Sequence, residues 1–182
     1  MSRALVAVTV AAAVTLAPAG PASAGIWQLT DGFEPSTNPE SRWSWEAEGF
    51  CGGPNYTSTL WTPRTGTGVA NFKVSYVPDW CAIGRTIRLT PVVTHPGSTC
   101  TAGVWARLND QRPQLNVEVI NPSTWTYLAL KKVTSSGSWT FHSVSWTAQR
   151  PDVVVRFALV ARSNGPYFAE VALDDVVVQC AY

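Results

Sequence analysis

Two adjacent aspartates interrupt an apolar, β-branched run near the end of the sequence. The segment Val171–Cys180 reads VALDDVVVQC and has the composition of a β-strand apart from Asp174 and Asp175. Side chains of a strand alternate between its faces, so the two carboxylates point to opposite sides. Alternation places Asp174 on the side of Val176 and Val178, where an unpaired charge would be very costly. The residues themselves allow two kinds of partner, an arginine or backbone N–H groups at a sheet edge.

A second set of residues has the chemistry to bind a sugar. In the segments Thr101–Leu108 and Gln114–Ile120, small aliphatic side chains occupy one side of each strand. In Thr124–Lys132, Leu128 and Leu130 occupy the side that we expect to be the core. If the three strands are neighbours, their other sides combine into one surface, formed by Trp105, Arg107, Asn116, Glu118, Trp125 and Tyr127.

The residue types on that surface match the two sides of a pyranose ring. Its C–H face packs on a flat aromatic ring, and its equatorial hydroxyls need in-plane donors and acceptors such as Arg, Asn and Glu. The alternative is that each tryptophan is structural and packs under a loop or between sheets. The grouping on one polar face indicates a binding surface more strongly than any single member does.

Four cysteines, Cys51, Cys81, Cys100 and Cys180, are an even number in a chain that begins with an export signal. That pattern indicates two disulfides rather than a zinc site, because the spacings are far from C-x-x-C. Four cysteines allow three pairings. Alternation places Cys100 and Cys180 on core-facing sides at strand ends, which favours Cys100–Cys180 together with Cys51–Cys81.

The elements that must position these groups are strands. Short alternating runs recur between turn sequences such as NPS and QRPD, and no stretch keeps a helical period. This pattern predicts an all-β fold, an antiparallel β-sandwich of jelly-roll type, in one domain covering residues 25–182.

The N-terminal residues determine the expected compartment. Arg3, an apolar run and a small-residue Ala22-Ser23-Ala24 ending are typical of a secretory signal peptide over residues 1–24. We therefore expect a secreted, extracellular protein with no membrane span. Without Arg3 the chain carries 12 basic and 12 acidic residues, and it has no basic stripe, which argues against nucleic acid as a partner.

Four segments together resemble the carbohydrate-binding modules of the CenC type, families four, nine and twenty-two, which share a galactose-binding-like β-jelly roll. They are DGFEP at Asp31–Pro35, CTAGVWARL at Cys100–Leu108, SWTFHSVSWTA at Ser138–Ala148, and the closing Arg156–Val178 with its aspartate pair. The four cysteines and the stretch Gly49–Trp61 depart from the common pattern.

The resemblance implies a structural calcium that ties the first strand to the last. Its carboxylate ligands would be Glu34 and Asp174, with Asp31 as a further candidate. Calcium takes hard oxygen ligands in a loose shell, and it would neutralise a buried Asp174.

Three functions fit these residues. The first is a secreted, non-catalytic module that binds a poly- or oligosaccharide through the aromatic face. The second is a glycoside hydrolase or lyase on the same scaffold, which for hydrolysis needs two carboxylates facing one cleft, whereas Glu118 is the one acid that we place on the aromatic face. The third is a protein-binding or cell-wall adhesive module. We expect a free-standing module, because no linker or catalytic domain follows Tyr182, and we also expect a monomer.

Overall fold

The computed structural model describes residues 25–57, 61–91, 93–94, 97–109, 113–134, 137–162 and 168–182. The proposed signal peptide, residues 1–24, lies outside these ranges. Along the described ranges, no helix has the length and apolar character needed to cross a bilayer.

The described residues form strands and two short 3-10 turns, at Pro35–Thr37 and Pro39–Ser41. The strands are β1 (Ile26–Asp31), β2 (Ser44–Glu48), β3 (Cys51–Asn55), β4 (Ala70–Val74), β5 (Trp80–Arg88), β6 (Thr99–Leu108), β7 (Pro113–Asn121), β8 (Thr126–Val133), β9 (Thr140–Thr147), β10 (Asp152–Ala161) and β11 (Ala169–Ala181).

Two antiparallel sheets pack face to face. Sheet 1 has the order β3-β4-β11-β6-β9, with β1 paired to the second half of β11. Sheet 2 has the order β2-β5-β10-β7-β8. The prediction of an all-β antiparallel sandwich is confirmed.

The core lies between the sheets, where alternation predicts it for β6 and β7. Ala102, Val104 and Ala106 of β6 face Leu115 and Val117 of β7, all without solvent exposure. The disulfides join Cys51 to Cys81 and Cys100 to Cys180, which is the predicted pairing. The second bond lies within sheet 1, because Cys100 and Cys180 are register partners on β6 and β11.

The face assignment of β8 is wrong, because a bulge interrupts its alternation. The register with β7 shifts between Val119 and Ile120. As a result Ala129, not Leu128 or Leu130, packs against the core. Leu130 pairs with Glu118 and therefore lies on the outer side of sheet 2.

Candidate functional site

The six residues predicted to form one surface lie on two different sheets. Trp105 and Arg107 belong to β6 of sheet 1, whereas the other four, Asn116, Glu118, Trp125 and Tyr127, lie on β7, on β8 or in the turn between them. The prediction that the three strands are neighbours is therefore wrong. Alternation identifies the outward side of a strand, but it does not say to which sheet the strand belongs.

The outer side of sheet 2 has a groove over strands β10 and β7. One row across the sheet runs Ser44, Gly84, Arg156, Glu118 and Leu130, and the next runs Glu46, Ala82, Ala158, Asn116 and Lys132. The groove has a volume of about 350 Å³, and its floor includes the small Ala158 beside the polar Asn116 and Arg156. This volume is in the range of small-ligand sites, about 300–1,000 Å³.

Three aromatic rings line the groove: Trp80, Trp125 and Tyr127. Trp125 lies in the turn between β7 and β8, where its backbone N–H donates to the Asn121 carbonyl at 2.8 Å and its φ is 56°. Trp125 is 55% and Tyr127 is 54% exposed. Large rings exposed to this degree are available for contact with a ligand.

A polar network connects the groove's charged groups. Arg156 donates from Nε to Glu118 at 2.6 Å and from Nη1 to Glu46 at 2.8 Å. Glu118 is fully buried and also accepts from the Asn116 amide at 3.0 Å and from the Tyr127 hydroxyl at 3.5 Å. Burial lowers the pKa of Arg156, but the hydrogen bonds and charges of Glu118 and Glu46 outweigh it and raise the pKa above its usual value.

Sequence reasoning missed three polar or aromatic members of the groove: Trp80, Glu46 and Arg156. Arg156 carried a usable signal, because it is the one charged residue in the otherwise apolar segment VVVRFALVA. Trp80 and Glu46 lie on strands whose neighbours are distant in sequence, so no local pattern points to them.

Trp105 and Arg107 form a separate cluster on the outer side of sheet 1. The guanidinium of Arg64 lies 3.8 Å from the Trp105 ring centroid, and the Phe141 ring is 5.7 Å away. Arg107 lies over the ring of Trp61 at 5.1 Å.

Asp174 is buried as expected, but on the opposite face from the one predicted. A bulge lies between Asp174 and Val177, and Asp175 has a φ of 46°. Because of the bulge, Asp174 and Val176 point to different faces of the sheet. Val176 faces the core, whereas Asp174 pairs with Trp105 and lies on the outer side of sheet 1. The chain at Arg64 and Thr65 covers it, and both backbone N–H groups donate to Oδ2, at 2.8 and 3.0 Å. Burial raises the pKa of Asp174 to about 6.

Two more carboxylates hold the same loop. Asp175 accepts from the side chains of Arg64 and Thr65, and Glu34 accepts from the backbone and hydroxyl of Thr67. The hydrogen bonds from Thr67 lower the pKa of Glu34.

These carboxylates meet around Gly32, which has no side chain to fill the space. A Cβ built there would lie 3.7 to 3.8 Å from an oxygen of each of Glu34, Asp174 and Asp175. The donor set, hard oxygens only, is of the kind that calcium accepts. Among the described residues, however, no cluster of three or more acidic, histidine or cysteine side chains has the arrangement of a metal site.

Asp31 has other partners than those predicted. Its buried carboxylate forms ion pairs with Arg42 at 2.8 Å and Arg85 at 3.0 Å, and it accepts from the Trp43 indole at 3.0 Å. Two guanidinium groups already neutralise its charge, so the candidate metal set is reduced to the carboxylates around Gly32.

No known family model matches this sequence, and no curated protein matches it. Solved structures do match. The chain is similar to a family 61 carbohydrate-binding module in complex with β-1,4-galactotriose, at 12% identity over 81% of this chain and 92% of that one, with a TM-score of 0.56. It is also similar to the family 22 xylan-binding domain of Xyn10C from Paenibacillus barcinonensis, at 16% identity over 84% and 92%, with a TM-score of 0.55. A third match is a cleaved adhesin domain of Lys-gingipain from Porphyromonas gingivalis, at 17% identity over 85% and 99%, with a TM-score of 0.56.

The fold is therefore the β-sandwich of carbohydrate-binding modules, as the resemblance in the sequence implies. A family 4 module has it as well, at 14% identity over 76% of this chain and 94% of that one, with a TM-score of 0.53. At these identities the likeness defines the fold, and the ligand has to be argued from the chain's own groove.

Proposed function

We propose that this protein is a secreted, non-catalytic carbohydrate-binding module that holds a glycan chain in the groove on the outer side of sheet 2. The observation that carries the proposal is the pair of half-exposed rings, Trp125 and Tyr127, beside a polar network fixed by Arg156. The similar modules named above include one solved with a galactotriose and one named as xylan-binding, which supports a neutral polysaccharide as the ligand class.

Each part of the groove has a role in this proposal. Trp125 and Tyr127 stack on the apolar faces of sugar rings, and Trp80 forms the far wall. Asn116, Arg156 and Glu46 supply donors and acceptors to the hydroxyls. Because the network holds these groups in place before binding, little conformational entropy is lost when the ligand arrives.

The carboxylates of the groove argue for binding rather than hydrolysis. Glu118 and Glu46 both accept hydrogen bonds from the same guanidinium group of Arg156, and Glu118 is fully buried. A hydrolase needs one carboxyl group free to protonate the leaving oxygen and a second one free to act on the other side of the bond.

A structural calcium is part of the proposal. Glu34, Asp174 and Asp175 would hold it beside Gly32, and its charge would balance theirs. It would tie the end of β1 to the bulge of β11 and to the Arg64–Thr67 loop. Secretion would follow cleavage of the signal peptide after Ala24, and two disulfides are typical of an oxidising compartment.

Removing the Trp125 ring tests the proposal. Trp125→Ala should lower affinity for the bound glycan roughly 5- to 150-fold, which corresponds to about 1–3 kcal/mol for one aromatic contact. The melting temperature should not change, because the ring is more than half exposed. Trp125→Asn is a useful companion, since asparagine tolerates the positive φ at this position better than alanine does.

Titration calorimetry against xylan, β-1,4-galactan, cellulose and peptidoglycan fragments would provide the affinities. Phe168→Ala is a matched control, because Phe168 is a 41% exposed ring outside the groove. Loss of binding in the control as well, or no effect in either Trp125 variant, would contradict the groove as the site. Release of reducing sugar by the wild type would favour the hydrolase.

Adhesion to a protein is a second candidate, because one of the similar structures is an adhesin domain. The exposed rings of the groove would then contact another chain. A protein that binds no glycan in the panel, but whose capture of a protein partner is lost in Trp125→Ala, would support this candidate.

A further inference from the structure

The outer side of sheet 1 carries a second depression, of about 370 Å³. It lies on the opposite side of the sandwich from the groove of sheet 2. Its lining comes from β6, β9 and the second half of β11: Thr99, Thr101, Gly103, Phe141, Val177, Gln179 and Ala181. None of these side chains carries a charge, so an ionic ligand has no counter-charge in the depression.

One end of the depression is an aromatic wall. Gly103 has no side chain, and the Phe141 ring lies directly over it, where any side chain at position 103 would collide. This packing fixes one face of the Phe141 ring, and the residue remains 40% exposed. Trp105 supports the ring from behind at 5.7 Å, and Arg64 covers Trp105 in turn. The ring is therefore held in place by its neighbours.

The rest of the lining offers hydroxyl and amide groups. Thr101 and Ser145 share a hydrogen bond of 2.9 Å between their hydroxyls on neighbouring strands. Thr99 and Gln179 are exposed, and among the described residues neither side chain has a hydrogen-bond partner. Free donors and acceptors beside a fixed ring, without charge, match a neutral sugar.

We propose that this depression is a second glycan-binding site, so that one molecule binds two neutral glycan chains on opposite faces. The proposal rests on the proposed function for the ligand class, but it depends on different residues on a different sheet. Phe141 is the stacking ring, and Thr101 and Gln179 contact the hydroxyls. A protein with binding sites on both faces bridges separate glycan chains.

Stoichiometry tests the proposal. Short neutral oligosaccharides, namely xylotetraose, β-1,4-galactotetraose and cellotetraose, would be titrated calorimetrically into the wild type and five variants. We expect two bound molecules per wild-type protein and one in either Trp125→Asn or Phe141→Ala. The double variant should bind none, and the Phe168→Ala control should bind two. Gln179→Ala should weaken the second site about 10-fold, as expected for a lost polar contact of about 1.4 kcal/mol.

A turbidity measurement tests directly whether the protein bridges two glycan chains. The wild type should turn a solution of the corresponding soluble polysaccharide turbid, and each single-site variant should not. If Phe141→Ala lowers the melting temperature, the Gln179→Ala result decides, because the Gln179 side chain is exposed and has no partner within the described part of the chain.

Each other outcome has a definite meaning. One bound molecule in the wild type that is lost in Trp125→Asn overturns the second site and leaves the first. One bound molecule that is lost in Phe141→Ala but kept in Trp125→Asn overturns the groove of sheet 2 and keeps the site on sheet 1. No binding of any of the three probes overturns both.

Discussion

At the scale of single residues, Arg156 organises the polar part of the sheet 2 groove. Its side chain is almost fully buried and lies between Glu118 and Glu46, with its guanidinium 5.4 Å from the Trp80 ring centroid. A buried ion pair contributes little net stability, because both charges lose their water. Removing one partner is much worse, since it leaves the other charge buried and uncompensated.

Arg156→Ala should therefore destabilise the fold by about 3–5 kcal/mol, because Glu118 would be left buried without its cation. The double variant Arg156→Met, Glu118→Leu should recover most of that loss but not glycan binding. Chemical denaturation checks both. As a control, Arg88→Ala breaks the exposed pair with Asp152 and should cost about 0–1 kcal/mol. If Arg156→Ala and Arg88→Ala lowered the free energy of unfolding by the same amount, the buried pairs of Arg156 would contribute no more to stability than an exposed pair.

His142 provides the pH prediction. It is 8% exposed on β9, its Nε2 has no hydrogen-bond partner among the described residues, and burial together with the charge of Lys131 lowers its pKa. The unfolded chain therefore takes up the proton first as the pH falls. Stability should decrease from about pH 6.5 downward, until the pH reaches the lowered pKa of the folded state.

Melting temperatures at pH 7.5 and 5 measure that decrease. His142→Gln should reduce it, and Lys131→Gln should reduce it by a smaller amount, because only the charge contribution is removed. Carboxylates titrate equally in all three proteins, so they do not affect the comparison. An identical pH dependence in the wild type and His142→Gln would show that His142 is protonated at no cost in the folded state.

At the scale of strands, the sequence predicts regular alternation well and predicts bulges poorly. The core sides of β6 and β7 follow from alternation, because both strands are uninterrupted over those residues. The bulges at Val119/Ile120 and Asp174/Val177 shift the phase by one residue, and everything beyond them changes side. No residue type in either segment marks the bulge in advance, which is why the faces of Leu128 and Asp174 were wrong.

The order of strands within the sheets is also beyond local pattern. Alternation places both Trp105 and Glu118 on the outward side of their strands, yet the two residues lie on opposite sides of the molecule, because β6 and β7 belong to different sheets. Pairing of distant strands decides this, and β6 pairs with β9 and β11 rather than with β7. By contrast, the disulfide pairing was predictable, because it follows from which strand ends face the core.

The loop at Arg64–Thr67 is held by carboxylates from β11 and from the segment after β1, and the calcium prediction concerns this loop. If calcium binds there, a chelator should lower the melting temperature, because a ligand bound only to the folded state stabilises it. Asp174→Ala should lower stability and remove the response to calcium, whereas Asp175→Ala should do less. Asp152→Asn is the control, because Asp152 forms an exposed ion pair with Arg88 away from this loop, and it should keep the full response of the melting temperature to calcium.

Differential scanning fluorimetry with and without calcium provides the measurement. An unchanged melting curve in excess chelator would mean that the backbone N–H groups of Arg64, Thr65 and Asp175, rather than a calcium ion, balance the Asp174 carboxylate. That result would leave the glycan site on sheet 2 untouched, since the two regions share no residue.

At the scale of the whole molecule, the disulfides restrict the chain by very different amounts. Cys100–Cys180 closes a loop with a sequence separation of 80, and Cys51–Cys81 one of 30. The first joins neighbouring strands at the centre of sheet 1, and the second joins the β3 edge of sheet 1 to β5 of sheet 2. Both bonds therefore act on the sandwich as a whole, one within a sheet and one between the sheets.

Loop closure predicts that replacing Cys100 and Cys180 together by serine costs about 4.5 kcal/mol, against about 3.6 for Cys51 and Cys81, as upper values. The central pair should cost more for a second reason, because Cys100 and Cys180 are fully buried and the serine hydroxyls would lack partners there. Denaturant unfolding of the two double variants measures the difference. A larger loss for Cys51→Ser, Cys81→Ser would mean that joining the two sheets matters more to stability than restricting the longer loop.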